Sequence, residues 1–351
     1  MNILVTGGAG YLGSVLLPKL LSRGHKVKAL DLGYFGLGHL RALRPAVELI
    51  REDLRDVTMN PARLRELLSD CDCVIHLAAI SNDPSAELNP ELTEEVNFRA
   101  TQILAETAKG MGVKFIFSSS CSVYGEADAE IDENGDVAPL TVYASSKVKA
   151  EEVILEIASP TWSPVILRNG TLFGYSPRMR FDLVVNIFSL YSALRNEIKI
   201  FGDGRQWRPF LHVGDCARAF VFFAERRETR HRCYNVAHEN LRVVDIAEIF
   251  KRLNPSLAAS HLPLPEDDRR DYAVSTERIK EEGFNTRIGV EMGAEEMIEA
   301  IVSGLIPDPE SVFYRNAKWL KELTQIGSKD HRELVGLLET IAQVRPKWDR
   351  L

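Results

Sequence analysis

Two periods of apolar and polar positions alternate along the first half of the chain. Ile3-Leu4-Val5 is a short apolar run that passes at once into glycine-rich sequence, and Tyr11 to Leu21 follows with helical spacing. His25 to Leu30 reads as a second strand closed by Asp31, and Val47 to Ile50 as a third. Arg63 to Leu68, behind Pro61, reads as a helix. Cys73 to Ala78 is almost unbroken apolar sequence, the pattern of a parallel strand covered on both faces. Glu91 to Lys109 has the spacing of one long helix, and Val113 to Phe117 is another buried strand. Strands alternating with helices predict βαβ units, hence an α/β fold built on a doubly wound parallel sheet of the Rossmann type.

The second half changes character. After Val165-Ile166-Leu167, prolines and glycines crowd through Gly174, Pro177, Gly202, Gly204 and Pro209. Helical patterns return at Asp182–Leu194, Asp215–Ala224, Val244–Leu253 and Glu295–Val302. This irregularity predicts a second, smaller mixed α/β domain whose segments interleave with the first. The expected division gives residues 1–175 and about 205–240 to the large domain and about 176–204 and 241–310 to the small one. Residues 311–351 are expected to form a helical extension, with helices at Val312–Leu323 and Arg332–Val344.

Composition narrows the class. The 351 residues carry 43 Lys plus Arg against 50 Asp plus Glu, a formal charge of −7. Phosphate contacts need clustered cations and the chain has no Lys/Arg block, so a nucleic-acid surface is not expected. No stretch approaches the ~20 apolar residues that span a bilayer. Met1-Asn2-Ile3-Leu4-Val5 lacks the basic start of a secretory signal, so a cytoplasmic location away from membranes is expected. The five cysteines, Cys71, Cys73, Cys121, Cys216 and Cys233, match neither a disulfide framework nor a zinc site, and no metal is expected.

Gly7-Gly8-Ala9-Gly10-Tyr11-Leu12-Gly13 follows the first strand and opens a helix. Glycines in that place permit a tight turn, close approach of the backbone to a diphosphate, and tight helix–sheet packing. The helix N-terminus offers free N–H groups and a partial positive charge to the anion. Asp31 ends the second strand, where a carboxylate accepts hydrogen bonds from adenosine ribose hydroxyls and repels a 2′-phosphate, so NAD is expected rather than NADP. Tyr143-Ala144-Ser145-Ser146-Lys147 puts a phenol and an ammonium on one helix face. A fixed Lys147 cation and a positive nicotinamide ring would favour the phenolate, which could take a proton from a sugar or alcohol hydroxyl as hydride leaves. Phe117-Ser118-Ser119-Ser120 ends a buried strand, at the edge where this fold places its ligands, and Ser120 could bond the reacting oxygen. His76 and His212 lie in strand-like runs and are expected to be packed or hydrogen-bonded, and Glu126 to Asp136 to be a solvated loop.

These residues resemble the extended short-chain dehydrogenase/reductases, specifically the nucleotide-sugar epimerase/dehydratase family typified by UDP-glucose 4-epimerase. The similarity runs from Met1 to about Ile306 and includes Thr6 to Gly13, Glu52 to Asp56, His76 to Ala79, Ser118 to Gly125, Tyr143 to Lys147, Pro164 to Arg168 and Phe201 to Val213. The resemblance implies Ser120, Tyr143 and Lys147 as catalytic residues, with Cys121 and Ser122 at positions that in 4,6-dehydratases carry Asp and Glu. Cys121 is held open as a packing residue, a substrate contact or an acid. Cofactor contacts are expected from Gly7, Gly10, Tyr11, Leu12, Gly13, Asp31, Asp53, Leu54, Leu77, Ala78, Ala79, Asn97, Ser118, Tyr143 and Lys147. Substrate contacts are expected from Ser81, Asn82, Ser120, Ser122, Tyr143, Thr171, Arg208 and Arg269, the two arginines on a diphosphate. The partner implied is a nucleotide-diphosphate sugar, and the expected assembly a homodimer. C4 epimerisation leads. A dehydratase, a decarboxylase, a 4-oxidase or ketosugar reductase, and an NAD-sensing protein without turnover remain alternatives.

Overall fold

A computed structural model describes residues 1–263 and 270–326 of the chain. Twelve strands are present among them: β1 Asn2–Thr6, β2 Lys26–Leu30, β3 Val47–Ile50, β4 Cys73–His76, β5 Lys114–Ser120, β6 Val165–Asn169, β7 Thr171–Phe173, β8 Glu197–Phe201, β9 Trp207–His212, β10 Cys233–Val236, β11 Glu239–Arg242 and β12 Ala258–Leu262. Seven form one parallel sheet in the order β10-β6-β5-β4-β1-β2-β3. This is the Rossmann-type sheet the alternation predicts. The order reverses between β1 and β4, so their carboxyl ends open the crevice in which such sheets bind ligands.

The sheet is covered on both faces, which is why β4 and β6 are buried along their whole length. On one face, helices Gly13–Ser22 and Val213–Glu225 pack Leu16, Leu17, Leu20, Phe220 and Phe223 against Ile3, Val5 and Ile75. On the other, Ala100–Gly110 and Val142–Glu156 pack Leu104, Ala105, Ala150 and Ile154 against Leu4, Val74, Phe115 and Phe117. Each fully buried Leu, Ile or Phe contributes roughly 1.5–3 kcal/mol of transfer free energy.

A smaller mixed sheet has the order β11-β9-β7, with β7 parallel and β11 antiparallel to β9, and β8 pairs separately with β12. These strands share a core of Phe173, Phe188, Ile198, Ile200, Phe210, Ile246 and Phe250 with the helices Val184–Arg195, Val243–Leu253 and Val290–Val302. β7 and β9 thus pair away from the seven-stranded sheet, while β10 joins it.

Several local expectations are corrected. The single helix over Glu91 to Lys109 is three pieces, Pro90–Glu94, a wider π-turn over Glu95–Arg99, and Ala100–Gly110. The strand ending at Ala78 stops at His76, which frees Leu77 to Ile80 for the crevice. The acidic stretch is not simply a solvated loop. It bridges to Asp271 and Val274 through Glu126 and Ile131, and the buried Glu133 carboxylate accepts from the Asn235 N–H at 2.6 Å. The first extension helix begins later than expected, at Asn316, after a 3-10 turn over Val312–Tyr314. The one expected at Arg332–Val344 lies outside the described residues. Among the described residues, no helix is long and apolar enough to cross a membrane.

Candidate active site

A cleft of about 1700 Å³, open solvent at its mouth included, runs along the carboxyl ends of β1, β2, β4, β5 and β6. Its floor is the glycine turn. Gly7 has φ +72°, and a Cβ there would sit 2.7 Å from the Ala78 nitrogen. A Cβ on Gly13 would sit 2.5 Å from the carbonyl oxygens of Gly7 and Gly8, so the first helix can start against the turn only with glycine in that place. This is a cradle that side chains would fill, and its shape fits a dinucleotide diphosphate laid across the N-terminus of Gly13–Ser22. Tyr11 and Leu12 also line it. The Tyr11 hydroxyl donates to the Gly174 carbonyl at 2.5 Å and accepts from Asn186 at 3.1 Å, which ties the turn to the segment after β7.

Asp31 stands at the end of β2 and accepts from the N–H groups of Ala9 and Gly33 at 2.9 and 2.8 Å. Burial raises its pKa, and those two N–H groups and Arg178 oppose the rise. Asp53 caps the helix Leu54–Met59 by accepting from Arg55 N–H, and it pairs with the Arg55 guanidinium at 2.9 Å. Asp53, Leu54, Leu77, Ala78 and Ala79 all line the cleft. Asn97 does not. The π-turn swings it inward, where its carboxamide accepts from Ile80 N–H at 2.8 Å and donates to the Ile80 carbonyl and to Ser146. It therefore fixes the loop after β4 and the helix of Tyr143 rather than facing the cleft.

Ser118, Ser120, Ser122, Tyr143 and Lys147 meet in the cleft at the end of β5. Thr141 caps the helix Val142–Glu156, which sets Tyr143 in its first turn and Lys147 one turn on. Ser120 hydrogen-bonds the Tyr143 phenol. The Lys147 amine donates to the Ser118 carbonyl at 2.8 Å and lies 5.8 Å from the Tyr143 ring centre. Burial pushes the phenol up to about 12, with Asp83 adding to the rise and Arg180 and Ser120 opposing it. Burial also pulls Lys147 down to about 7 against the pull of Glu151.

Cys121 is turned away. It opens a 3-10 turn over Cys121–Tyr124, is buried among Val123, Tyr124, Val148 and Tyr272, and its thiol donates to the Arg168 carbonyl at 3.1 Å. Burial raises that thiol far above its ordinary range. Ser122, one residue on, does line the cleft, and its buried hydroxyl has no partner among the described residues.

Ser81, Asn82 and Thr171 line the cleft as expected. Asn82 has φ 76°, unusual for a residue with a side chain, and its carboxamide donates to Asp182 at 2.6 Å while capping Asp83–Ala86. Arg208 is buried behind the cleft wall and donates to the carbonyls of Trp207 and Arg270. Arg269 lies outside the described residues, but Arg270 lines the cleft and pairs with Asp83 at 2.5 Å. The sequence reading missed Arg178, Arg180, Asp83 and Asn316, all of which line the cleft. Arg180 is held by Asp182 at 3.0 Å and acts electrostatically on Tyr143. The two histidines are held as expected: His76 between Thr6 and Thr101 at 2.6 and 2.7 Å, and His212 against Glu296 at 2.8 Å.

The chain is similar to known proteins. The family model "NAD dependent epimerase/dehydratase family" matches residues 3–237. UDP-glucuronic acid decarboxylase 1 of Arabidopsis thaliana is 27% identical over 88% of this chain and 72% of its own. Among solved structures, MoeE5 in complex with UDP-glucose and NAD superposes with a TM-score of 0.75 at 28% identity, covering 87% of this chain and all of that one. The UDP-glucose 4-epimerase of Thermotoga maritima with UDP-glucose gives 0.77 at 25% identity over 87% of this chain and all of its own. The glycine cradle, the acid closing β2 and the serine–tyrosine–lysine group occur here together and in order, and the chain belongs to the NAD-dependent epimerase/dehydratase family.

Proposed function

We propose that the chain is a nucleotide-sugar epimerase that inverts C4 with tightly held NAD. The observation that carries this reading is the acid–base inventory around Tyr143. Ser120 and Tyr143 lie together at the end of β5 with Lys147 one helical turn from the phenol, and the two positions after Ser120 supply no second acid and base. The Cys121 thiol points into the core, and Ser122 has no base beside it. Asp83, the carboxylate that acts on Tyr143, is bound by Arg270 and by the Thr141 hydroxyl. Elimination of water needs a further acid and base, whereas epimerisation by removal and return of one hydride needs neither.

Bound NAD supplies a hydride acceptor that can give the same hydride back. The chain's residues do the remainder. Ser120 orients the sugar oxygen, and Tyr143 takes its proton and later returns it. Arg180 and the Ser120 hydrogen bond favour the phenolate. Asn82, Thr171 and Ser122 offer polar contacts to the sugar nucleotide. UDP-glucose and UDP-glucuronic acid, named for the relatives, support a nucleotide-diphosphate sugar as the substrate class. A panel of UDP-, dTDP-, GDP- and CDP-sugars tests the reading. One member should raise the melting temperature and be converted to its C4 epimer. A panel without stabilisation would overturn the substrate class, and a product lacking water or carbon dioxide would overturn the reaction.

Asp31→Ala tests the cofactor end. The carboxylate beside the adenosine ribose repels a 2′-phosphate, so the unmutated protein should bind NADH far more tightly than NADPH. The variant should narrow that gap by about tenfold or more, through weaker NADH and stronger NADPH binding. Equal affinity of the unmutated protein for both cofactors would remove Asp31 from this role.

A further inference from the structure

Residues after 310 lie outside the span the family model matches, yet they reach the cleft. The Tyr314 carbonyl accepts from Phe181 N–H at 2.7 Å, and the two rings meet edge-on at 5.9 Å. The Trp319 indole donates to the Tyr34 carbonyl, in the loop after β2, at 2.7 Å. Asn316, the first residue of its helix, is 3% exposed and makes three contacts. Its carboxamide nitrogen donates to Ser81, in the loop after β4, at 3.3 Å. Its backbone N–H donates to Asp182 at 3.3 Å, and its carboxamide oxygen accepts from Arg178 at 2.6 Å. One short segment therefore ties together three loops that rim the cleft.

Arg178 shows what that arrangement holds. It lines the cleft, is 2% exposed, and sits over the Phe35 ring, 3.7 Å from its centre. Its second terminal nitrogen donates to the Met179 carbonyl at 3.2 Å, but Nε has no partner among the described residues. Asp182, the nearby carboxylate, is committed to Arg180. Burial and Arg180 pull the Arg178 guanidinium down to about 9, against the weaker opposing pull of Asp182 and Asp31, neither of which forms an ion pair with it among the described residues. A buried cation without a paired counter-charge is costly, and a cleft wall is where a ligand anion can offset that cost.

We propose that Arg178 binds the diphosphate of the dinucleotide, and that Asn316 is its positioning residue, so that the C-terminal extension completes the cofactor site. The dinucleotide diphosphate is favoured by position. Arg178 is electrostatically coupled to Asp31 and stacks on Phe35, both beyond β2, at the adenosine end of the cleft. Arg180 is the member of the pair that is coupled to Tyr143, at the reacting end. Between those ends the cofactor's anionic part is its diphosphate, which the glycine turn also faces. The assignment rests on NAD binding by this family and is independent of which reaction the site runs.

Calorimetry on the full-length protein freed of nucleotide tests it, with ADP-ribose and adenosine as probes. Arg178→Gln should weaken ADP-ribose by about ten- to hundredfold and leave adenosine unchanged, since only the first carries the diphosphate. Arg178→Lys should recover part of the loss, because an ammonium restores the charge without the planar fork. Asn316→Ala should weaken ADP-ribose in the same selective way by about three- to tenfold. Equal loss for both probes would mark a packing role and overturn the proposal, as would unchanged ADP-ribose affinity in Arg178→Gln. An inert Asn316→Ala would overturn the part played by the extension. If Arg178→Gln does not fold, the lysine and Asn316 variants decide by the same comparison. Failure of the unmutated protein to bind ADP-ribose would instead overturn the cofactor assignment.

Discussion

Tyr143→Phe should lower turnover of the best-binding nucleotide sugar by about 10²–10⁴-fold, the usual contribution of a positioned acid–base group, with NADH affinity near normal. The substitution removes one oxygen and keeps the ring that packs in the first turn of Val142–Glu156. The lost oxygen is the one bonded to Ser120 and biased by Arg180, so the loss should fall on kcat rather than on cofactor binding. Ser120→Ala should fall in the same direction by less, because the phenol remains. Steady-state kinetics with NADH titration on the same preparations checks both. Full activity in Tyr143→Phe would move the base elsewhere, and Asp83 would be the first residue to examine.

The large sheet is legible in the sequence because its strands are buried on both faces and its turn chemistry is local. Ile3 to Val5 followed by Gly7 to Gly13 identifies β1 and the cradle with no information from elsewhere in the chain. The separate β8–β12 pair is not legible in that way. Only Ile198 and Ile200 mark β8, and Ala258–Leu262 has almost no apolar signature because it is mostly exposed. The π-turn at Asn97 is hidden because one extra residue in a helical turn hardly changes the spacing of apolar positions.

The site shows the same division. The residues that motifs carry, Asp31, Ser120, Tyr143 and Lys147, all line the cleft, but their ionisation is set by burial that the sequence does not display. Lys147 near 7 is the clearest case. Arg178 and Arg180 are not legible as cleft residues from the family pattern, which points to Arg208 and Arg269 instead. The signal available was Arg178-Met179-Arg180-Phe181-Asp182, two cations on alternate positions directly after the glycine- and proline-rich segment. Cys121 misleads in the opposite sense. Adjacency to Ser120 suggests a place in the site, but the 3-10 turn sends Cys121 into the core and presents Ser122 instead.

Reaction in deuterated water should yield a C4 epimer with no deuterium bound to carbon. In the proposed epimerisation the hydride that leaves C4 would come back without exchanging with solvent, while the proton that Tyr143 would handle sits on oxygen and would wash out on work-up. A 4,6-dehydratase would behave differently, since it takes a proton from C5 as the C6 hydroxyl leaves as water. The hydride held by the cofactor then goes to C6 and a solvent proton returns to C5, which writes solvent deuterium at C5. The acid and base for those steps stand directly after the catalytic hydroxyl in the dehydratases. Here those positions hold a buried thiol bonded to the Arg168 carbonyl and a serine without a base. Burial raises the thiol, so at neutral pH it is not the thiolate that carbon-proton abstraction requires. NMR and mass spectrometry of the purified product read the result as presence or absence of one mass unit on carbon. Deuterium at C5, or a product lighter by one water, would overturn epimerisation. Cys121→Ala and Ser122→Ala would then show which of the two side chains reaches the sugar in the loaded enzyme.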